Sequence, residues 1–302
     1  MVLYAEGPNG FVRSTLPAIE GALAADEPVL VLAGSERIEL LREALGENAG
    51  RVGLTDTHRL ARNPARIIPA WRQFLAEQSP SGNHALGVCE VIWSGRTPAE
   101  LAECEVHESL LDLAFGEGQP WRLLCPYDLD SLEDQVIESA QRGHAFLAQN
   151  GDIRCNEDYA HPHEPPQPFA GSLPAPLSPV QELAFLGDDL GELRHLLSRW
   201  AREERLDAER TEELVLAVNE LATNSIRYGG GRGEMLLWRE GQTLLCEIRD
   251  EGHITDPLVG RSRPAPEANN GRGLWLANQL CDLVQIRSSP AGSRVRVHKE
   301  VA

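Results

Sequence analysis

Glu220 and Asn224 stand four residues apart in the stretch AVNELATNSIRYGG, residues 217–230. Ala217, Val218, Leu221, Ala222 and Ile226 give the stretch a helical period, and the spacing puts the carboxylate and the carboxamide on one face. An Asn carbonyl oxygen suits a hard cation such as Mg2+, which is held by few protein groups while waters and phosphates complete its shell. A carboxylate one turn away can take a proton from a nucleophile or from a metal-bound water. Taken alone, the pair does not rise above an ordinary solvated helix face.

Two further stretches change that balance. In CEIRDEG, Asp250 sits just past a strand with Gly252 two residues on. An Asp there can accept a hydrogen bond from an exocyclic amine such as N6 of adenine, and a glycine beside it lets backbone and ring come close. A plain strand-ending turn has the same composition. In NNGRGLWLANQL, Gly271, Arg272, Gly273 and Leu274 open a helix. Free backbone N–H groups at a helix start bind phosphate, and the glycines permit the close turn. Each signal is weak by itself, but the ordered set N-E-L-x-x-N, D-E-G, G-x-G-L is specific.

The elements that must position these residues fall into two blocks. Residues 161–179 contain seven prolines and read as an extended, semi-rigid linker. They separate residues 1–160 from residues 180–302. In the first block, strand-like runs at 29–34, 51–56, 85–93 and 121–128 alternate with helical patterns, which implies an α/β fold with a parallel sheet covered by helices. Thr97, Pro98 and Glu100 form a capping-box start for one of those helices. In the second block, helical patterns at 188–204 and 208–227 precede the strands GEMLLWRE and QTLLCEIRD, and LVQIRSS and SRVRVHKEV end the chain. Neighbouring strands of this kind imply a mixed, largely antiparallel sheet with helices on one face.

With that order of motifs, residues 180–302 resemble the ATP-binding domain of the GHKL superfamily, an α/β sandwich of the Bergerat type shared by histidine kinases, gyrase, Hsp90 and MutL. Within it they most resemble the anti-sigma-factor serine kinases. The resemblance implies that Asn224 ligates Mg2+ and that Glu220 acts as base or water-positioner. It implies that Asp250, with Gly252, reads adenine, and that Gly271, Arg272, Gly273 and Leu274 cradle phosphates. The chain has a single lysine, Lys299, so it lacks a Walker A loop and a protein-kinase strand lysine. GHKL proteins use neither. Two departures stand out: Ile254 occupies the place of a second glycine in D-x-G-x-G, and Asn270 that of another. The stretch 253–270, rich in Pro and Gly, reads as a lid over nucleotide.

Residues 1–160 resemble the MEDS sensory domain of DcmR-type regulators, on ARNPARIIPAW, CEVIWSGRTPAELAECEVHESLLDLAF and LLCPYD. The resemblance implies a RecA-like three-layer fold, and no G-x-x-x-x-G-K-T follows VLVLAG. Open parallel sheets bind ligands at the carboxyl ends of their strands. Those ends carry Asp56, His58, Glu90, Trp93, Cys125, Tyr127 and Asp128, a candidate pocket for a small-molecule signal. For any one of them, helix capping or pairing with Arg62 or Arg96 is the simpler account.

MEDS joined to a GHKL domain resembles the RsbA-type anti-sigma regulators. That implies a sigma factor and an anti-anti-sigma (STAS) protein as partners, with ATP and Mg2+ as cofactors and a homodimer as one available assembly. The expected activity is serine/threonine phosphorylation of the STAS protein. The alternatives are a nucleotide- or sigma-binding module without transfer, and, third, a sensor histidine kinase using His195. A net charge of −18 argues against direct nucleic-acid binding. No apolar run reaches the roughly 20 residues of a membrane span. The six scattered cysteines and the unremarkable N-terminal stretch read as cytoplasmic. Cys104 and His107 share a helical turn, but a metal site needs further ligands.

Overall fold

The computed structural model describes residues 1–79, 84–116, 120–149, 151–159, 169–264 and 271–301. It divides into two units, Met1–Pro165 and Pro166–Ala302.

The first unit holds strands β1 (Val2–Tyr4), β2 (Val29–Ala33), β3 (Val52–Asp56), β4 (Ala85–Cys89), β5 (Trp121–Leu124), β6 (Pro126–Asp128), β7 (Phe146–Gln149) and β8 (Asp152–Cys155). Its helices are α1 (Gly7–Ala24), α2 (Ser35–Leu45), α3 (Thr57–Leu60), α4 (Ile67–Gln78), α5 (Pro98–Ser109), α6 (Leu111–Phe115) and α7 (Asp134–Arg142). One sheet has the order β3-β2-β4-β5 and is parallel. The other has the order β6-β1-β7-β8, parallel except for the β7–β8 hairpin. β5 and β6 are separated only by Cys125, whose carbonyl accepts from the Val2 amide at 2.8 Å. They form one interrupted strand that joins both sheets. The apolar runs of β2 and β4 are buried because helices cover both faces.

β1 and α1 were not among the elements expected from the sequence. Gly7 and Pro8 suggest a turn, yet Pro is tolerated in a first helical turn, and Phe11, Ile19 and Leu23 supply the buried stripe. At the start of α1, Glu6 has φ 70° and its amide donates to Asp130 Oδ2 at 2.7 Å. A carboxylate of the chain itself therefore faces this helix start. The capping box at Thr97 forms as the sequence predicts.

The second unit is built from β9 (Gln181–Leu186), α8 (Leu190–Glu203), α9 (Ala208–Tyr228), β10 (Arg232–Glu240), β11 (Thr243–Asp250), α10 (Arg272–Leu280), β12 (Leu283–Ser289) and β13 (Gly292–Glu300). The sheet order is β12-β13-β11-β10-β9, and every described pairing is antiparallel. Alternation sends Leu244, Cys246 and Ile248 into a core with Leu214, Val218 and Leu221 of α9 and Ala277 of α10. The opposite face carries Leu236, Trp238, Leu245 and Glu247, also buried. Within the Pro-rich stretch, Phe169 and Leu173 are buried, the Pro174 carbonyl accepts from Arg296 at 2.9 Å, and Ser178 donates to the Arg239 carbonyl at 2.7 Å. The described part, 169–179, thus lies against the second unit.

The single lysine is structural. Lys299 is 1% exposed, donates to the Leu280 carbonyl at the end of α10 at 2.6 Å, and pairs with Glu213 of α9. A cation at a helix C-terminus satisfies carbonyls that the helix leaves free. Among the described residues, no helix is long and apolar enough to cross a membrane.

Candidate functional site

α9 forms because Asp207 caps it, accepting from the Arg210 amide at 2.8 Å, and because a continuous stripe from Thr211 to Ser225 is buried. Glu220 and Asn224 flank that stripe and are half-buried. Among the described residues, neither has a hydrogen-bond or ion-pair partner, whereas Asn219 accepts from Arg194 and Ser225 donates to Asp250. α10 meets them head-on. A Cβ on Gly273 would lie 2.7 Å from Asn224 Nδ2 and 3.3 Å from Glu220 Cβ, so a side chain there would displace the Asn224 carboxamide. Gly271, at φ 85°, turns the chain into α10 with open space beside it, and Arg272 is exposed while Gly273 and Leu274 are buried.

Asp250 is held at the end of β11 by three donors. Its Oδ1 accepts from the Gly252 amide at 2.8 Å and Ser293 Oγ at 2.7 Å, and its Oδ2 accepts from Ser225 Oγ at 2.6 Å. A carboxylate offers about four acceptor sites, so one on Oδ2 is left for a ligand. The glycines here are steric requirements. A Cβ on Gly229 would lie 2.5 Å from Asp250 Cβ, and one on Gly252 would lie 2.8 Å from the Tyr228 carbonyl oxygen. The end of α9 and the end of β11 pack that closely. Ser225 and Ser293, which hold Asp250 in place, are neighbours that the sequence does not point to. Ser293 lies 43 residues from Asp250, and only the β11–β13 register brings it there.

Beyond Gly252, the Ile254 amide donates to Ser288 Oγ at 2.8 Å and the Ile254 side chain packs against the core. Where a second glycine was expected, the chain is therefore anchored. Gly260, at φ 71°, lies against Leu274, and its carbonyl accepts from Asn278 of α10 at 3.0 Å. Asn270 lies outside the described residues, as do 265–269 of the expected lid. His195 is exposed on α8, a helix of this same unit.

The residues expected to form a pocket in the first unit do not share one environment. Arg37 joins two of them, with Nε 3.0 Å from Glu90 Oε1 and Nη2 3.4 Å from Asp128 Oδ2. Tyr4 donates to Glu90 at 3.2 Å. Burial raises the Glu90 pKa, against the opposing pull of Arg37 and the Gly34 amide. Asp56 caps α3 through the His58 amide and accepts from Ser35 at 2.7 Å. Burial pushes its pKa up, but those hydrogen bonds outweigh it and hold the group low. Trp93 lies against His58, with ring centroids 4.6 Å apart, and the Arg96 guanidinium sits 3.6 Å over its ring. Cys125 and Tyr127 point the other way. Tyr127 donates to Glu108, and burial pushes the Cys125 thiol up to about 12. Residues 127 and 128 are neighbours on a strand, so their side chains take opposite faces.

Residues 1–145 match the family model of MEDS, the methanogen/methylotroph, DcmR sensory domain. Residues 184–299 match that of the histidine kinase-like ATPase domain. The chain is a MEDS domain followed by a histidine kinase-like ATPase domain. Solved structures that it resembles include the RsbU and RsbW domains of Rv1364c from Mycobacterium tuberculosis. There the identity is 15%, the match covers 41% of this chain and 32% of that one, and the TM-score is 0.32. Another is the Acinetobacter baumannii histidine kinase AdeS, at 15% identity, with 40% of this chain and 68% of that one covered and a TM-score of 0.24. The chain thus spans about a third of the first of these. No curated protein matches it. The unpaired Glu220 and Asn224, the braced Asp250 and the Gly271–Leu274 helix start all lie within the ATPase domain.

Proposed function

We propose that the ATPase domain binds ATP with Mg2+ and phosphorylates a serine or threonine of an anti-anti-sigma (STAS) protein, so controlling release of a sigma factor. The MEDS domain tunes this in response to a small molecule. One observation carries the reading: two half-buried polar groups, Glu220 and Asn224, are left without partners where the start of α10 abuts them at Gly273. The match to a histidine kinase-like ATPase domain and the ordered motif set support it.

The residues present fit the ligands. Asn224 would hold the metal, which when bound offsets the charge of the phosphates. The free acceptor site on Asp250 Oδ2 would take the adenine amine. Amides from Gly271 to Leu274 lie where a helix start attracts phosphate. In the transfer step a hydroxyl oxygen of the STAS protein bonds to the γ-phosphorus and the bond to ADP breaks. Glu220 receives the hydroxyl proton. Ile254, anchored in the core, favours a second reading, in which the domain binds nucleotide or sigma factor without transfer.

Calorimetric titration of the full chain with ATP and Mg2+ tests the site. Asn224→Ala should weaken binding by about 1–3 kcal/mol, the usual loss for a polar contact to a charged group. Asp250→Ala should weaken binding and reduce the preference for ATP over GTP. Parent-like binding by both variants would contradict the assignment. Gly273→Ala gives a further check: its Cβ would press on Asn224, so it too should bind ATP more weakly while remaining folded by circular dichroism.

A further inference from the structure

The sheet that contains β1 ends in an open edge. β8 pairs with β7 and has no strand on its other side among the described residues. All of Asp152–Cys155 is exposed, with Ile153 at 75% and Phe146 of β7 at 60%. In the β7–β8 register Phe146 faces Cys155 and Ala148 faces Ile153, so these four side chains share one face of the hairpin. An exposed apolar edge strand is a template for another strand.

The hydrogen-bond phase shows which groups are free. The Asn156 amide donates to the Ala145 carbonyl at 2.9 Å, which makes 145 and 156 a hydrogen-bonded pair. Such pairs alternate along an antiparallel ladder. Arg154 and Asp152 therefore turn their backbone groups toward β7, and Ile153 and Cys155 turn theirs outward.

We propose that β8 pairs antiparallel with β8 of a second copy of this chain, about a two-fold axis at Ile153. A symmetric pairing must place outward-facing backbone groups opposite one another. A two-fold axis within the strand can lie at Asp152, Ile153, Arg154 or Cys155, and at Cys155 it sets Arg154 only against Asn156 of the partner subunit. Centring on Asp152 sets that carboxylate against Asp152 of the partner subunit. Centring on Arg154 sets two guanidinium groups against each other. Centring on Ile153 sets Asp152 against Arg154 of the partner subunit, and Arg154 against Asp152 of the partner subunit. Like charges directly opposite destabilise and opposite charges stabilise, so charge selects the Ile153 register. In it, Ile153 exchanges both backbone hydrogen bonds with Ile153 of the partner subunit, and Asp152 and Arg154 occupy the closer, non-hydrogen-bonded positions. The apolar face becomes continuous across the axis through Ile153, Ala148 and Phe146. The contact is short, so the dimer is weak and reversible.

Sedimentation velocity of the full chain over a concentration series tests this. The parent should shift from monomer to dimer. Asp152→Arg and Arg154→Asp should each raise the dimer dissociation constant by about tenfold or more, since each replaces two attractive cross-strand pairs by repulsive ones. Ile153→Lys should do the same through the apolar face. The double variant Asp152→Arg/Arg154→Asp restores opposite charges in the same register and should dimerise as the parent does. All three positions are on the surface, so circular dichroism should be unchanged. A parent that stays monomeric, a dimer indifferent to Asp152→Arg, or a double variant no better than the single ones would overturn the proposal.

Discussion

Glu220→Gln is expected to slow phosphoryl transfer to a STAS partner by about 10²–10⁴-fold, the usual cost of losing a general base. ATP affinity should stay close to the parent's. The substitution keeps the side-chain shape, and Glu220 has no partner among the described residues, so no internal contact is lost. Binding in this account depends on Asn224, Asp250 and the α10 helix start. Glu220 acts only when the hydroxyl proton has to leave. Phosphoryl transfer depends chiefly on positioning and charge stabilisation, with a base orienting the nucleophile, so the residual rate should be measurable. Single-turnover transfer on a phosphate-affinity gel, paired with calorimetry, separates grip from chemistry. Unchanged transfer would remove Glu220 from the base role.

Glu247→Ala should destabilise the ATPase domain by about 3–5 kcal/mol, the typical cost of stranding the partner of a buried ion pair. Glu247 is fully buried on the sheet face opposite the helices. Its Oε2 accepts from Arg296 Nε at 2.8 Å and its Oε1 lies 2.6 Å from Arg249 Nε. Arg296 is 7% exposed at its side chain, lies 4.9 Å over the Trp238 ring, and also donates to the Pro174 carbonyl. Without Glu247 a guanidinium would remain inside with a single carbonyl to satisfy it. Glu247→Gln keeps an acceptor and should cost less. Urea unfolding of the full chain measures this, with the ATPase transition identified as the one that ATP shifts upward. A Gln variant as stable as the parent would show that the charge on Glu247 is not what holds Arg296.

What could be read from the sequence was local. Glu220 and Asn224 are legible because a helix fixes the geometry of residues four apart, and Asp250 and Gly273 because strand ends and helix starts have their own residue preferences. The braces on Asp250 were not legible, since Ser225 and Ser293 come from a helix and a strand far apart in the chain. β1, β7 and β8 were missed because three or four residues carry too little periodicity to stand out from loop. α1 was missed because its glycines and prolines imitate a turn, and tertiary burial of Phe11 and Ile19 outweighs them. The run 121–128 reads as one strand, but it divides at Cys125 into β5 and β6, and their places in two sheets follow only from their pairing partners. The grouping of Tyr127 with Asp128 failed on a rule the sequence does contain, the two-residue period of a strand.

The central claim is tested most directly by incubating the full chain with γ-labelled ATP, Mg2+ and candidate STAS proteins, with Glu220→Gln run in parallel. The account predicts label on a serine or threonine of one STAS protein, transferred quickly by the parent and far more slowly by the variant. Label on none of them, from a parent shown by calorimetry to bind ATP, would contradict the kinase reading and leave a nucleotide-binding module.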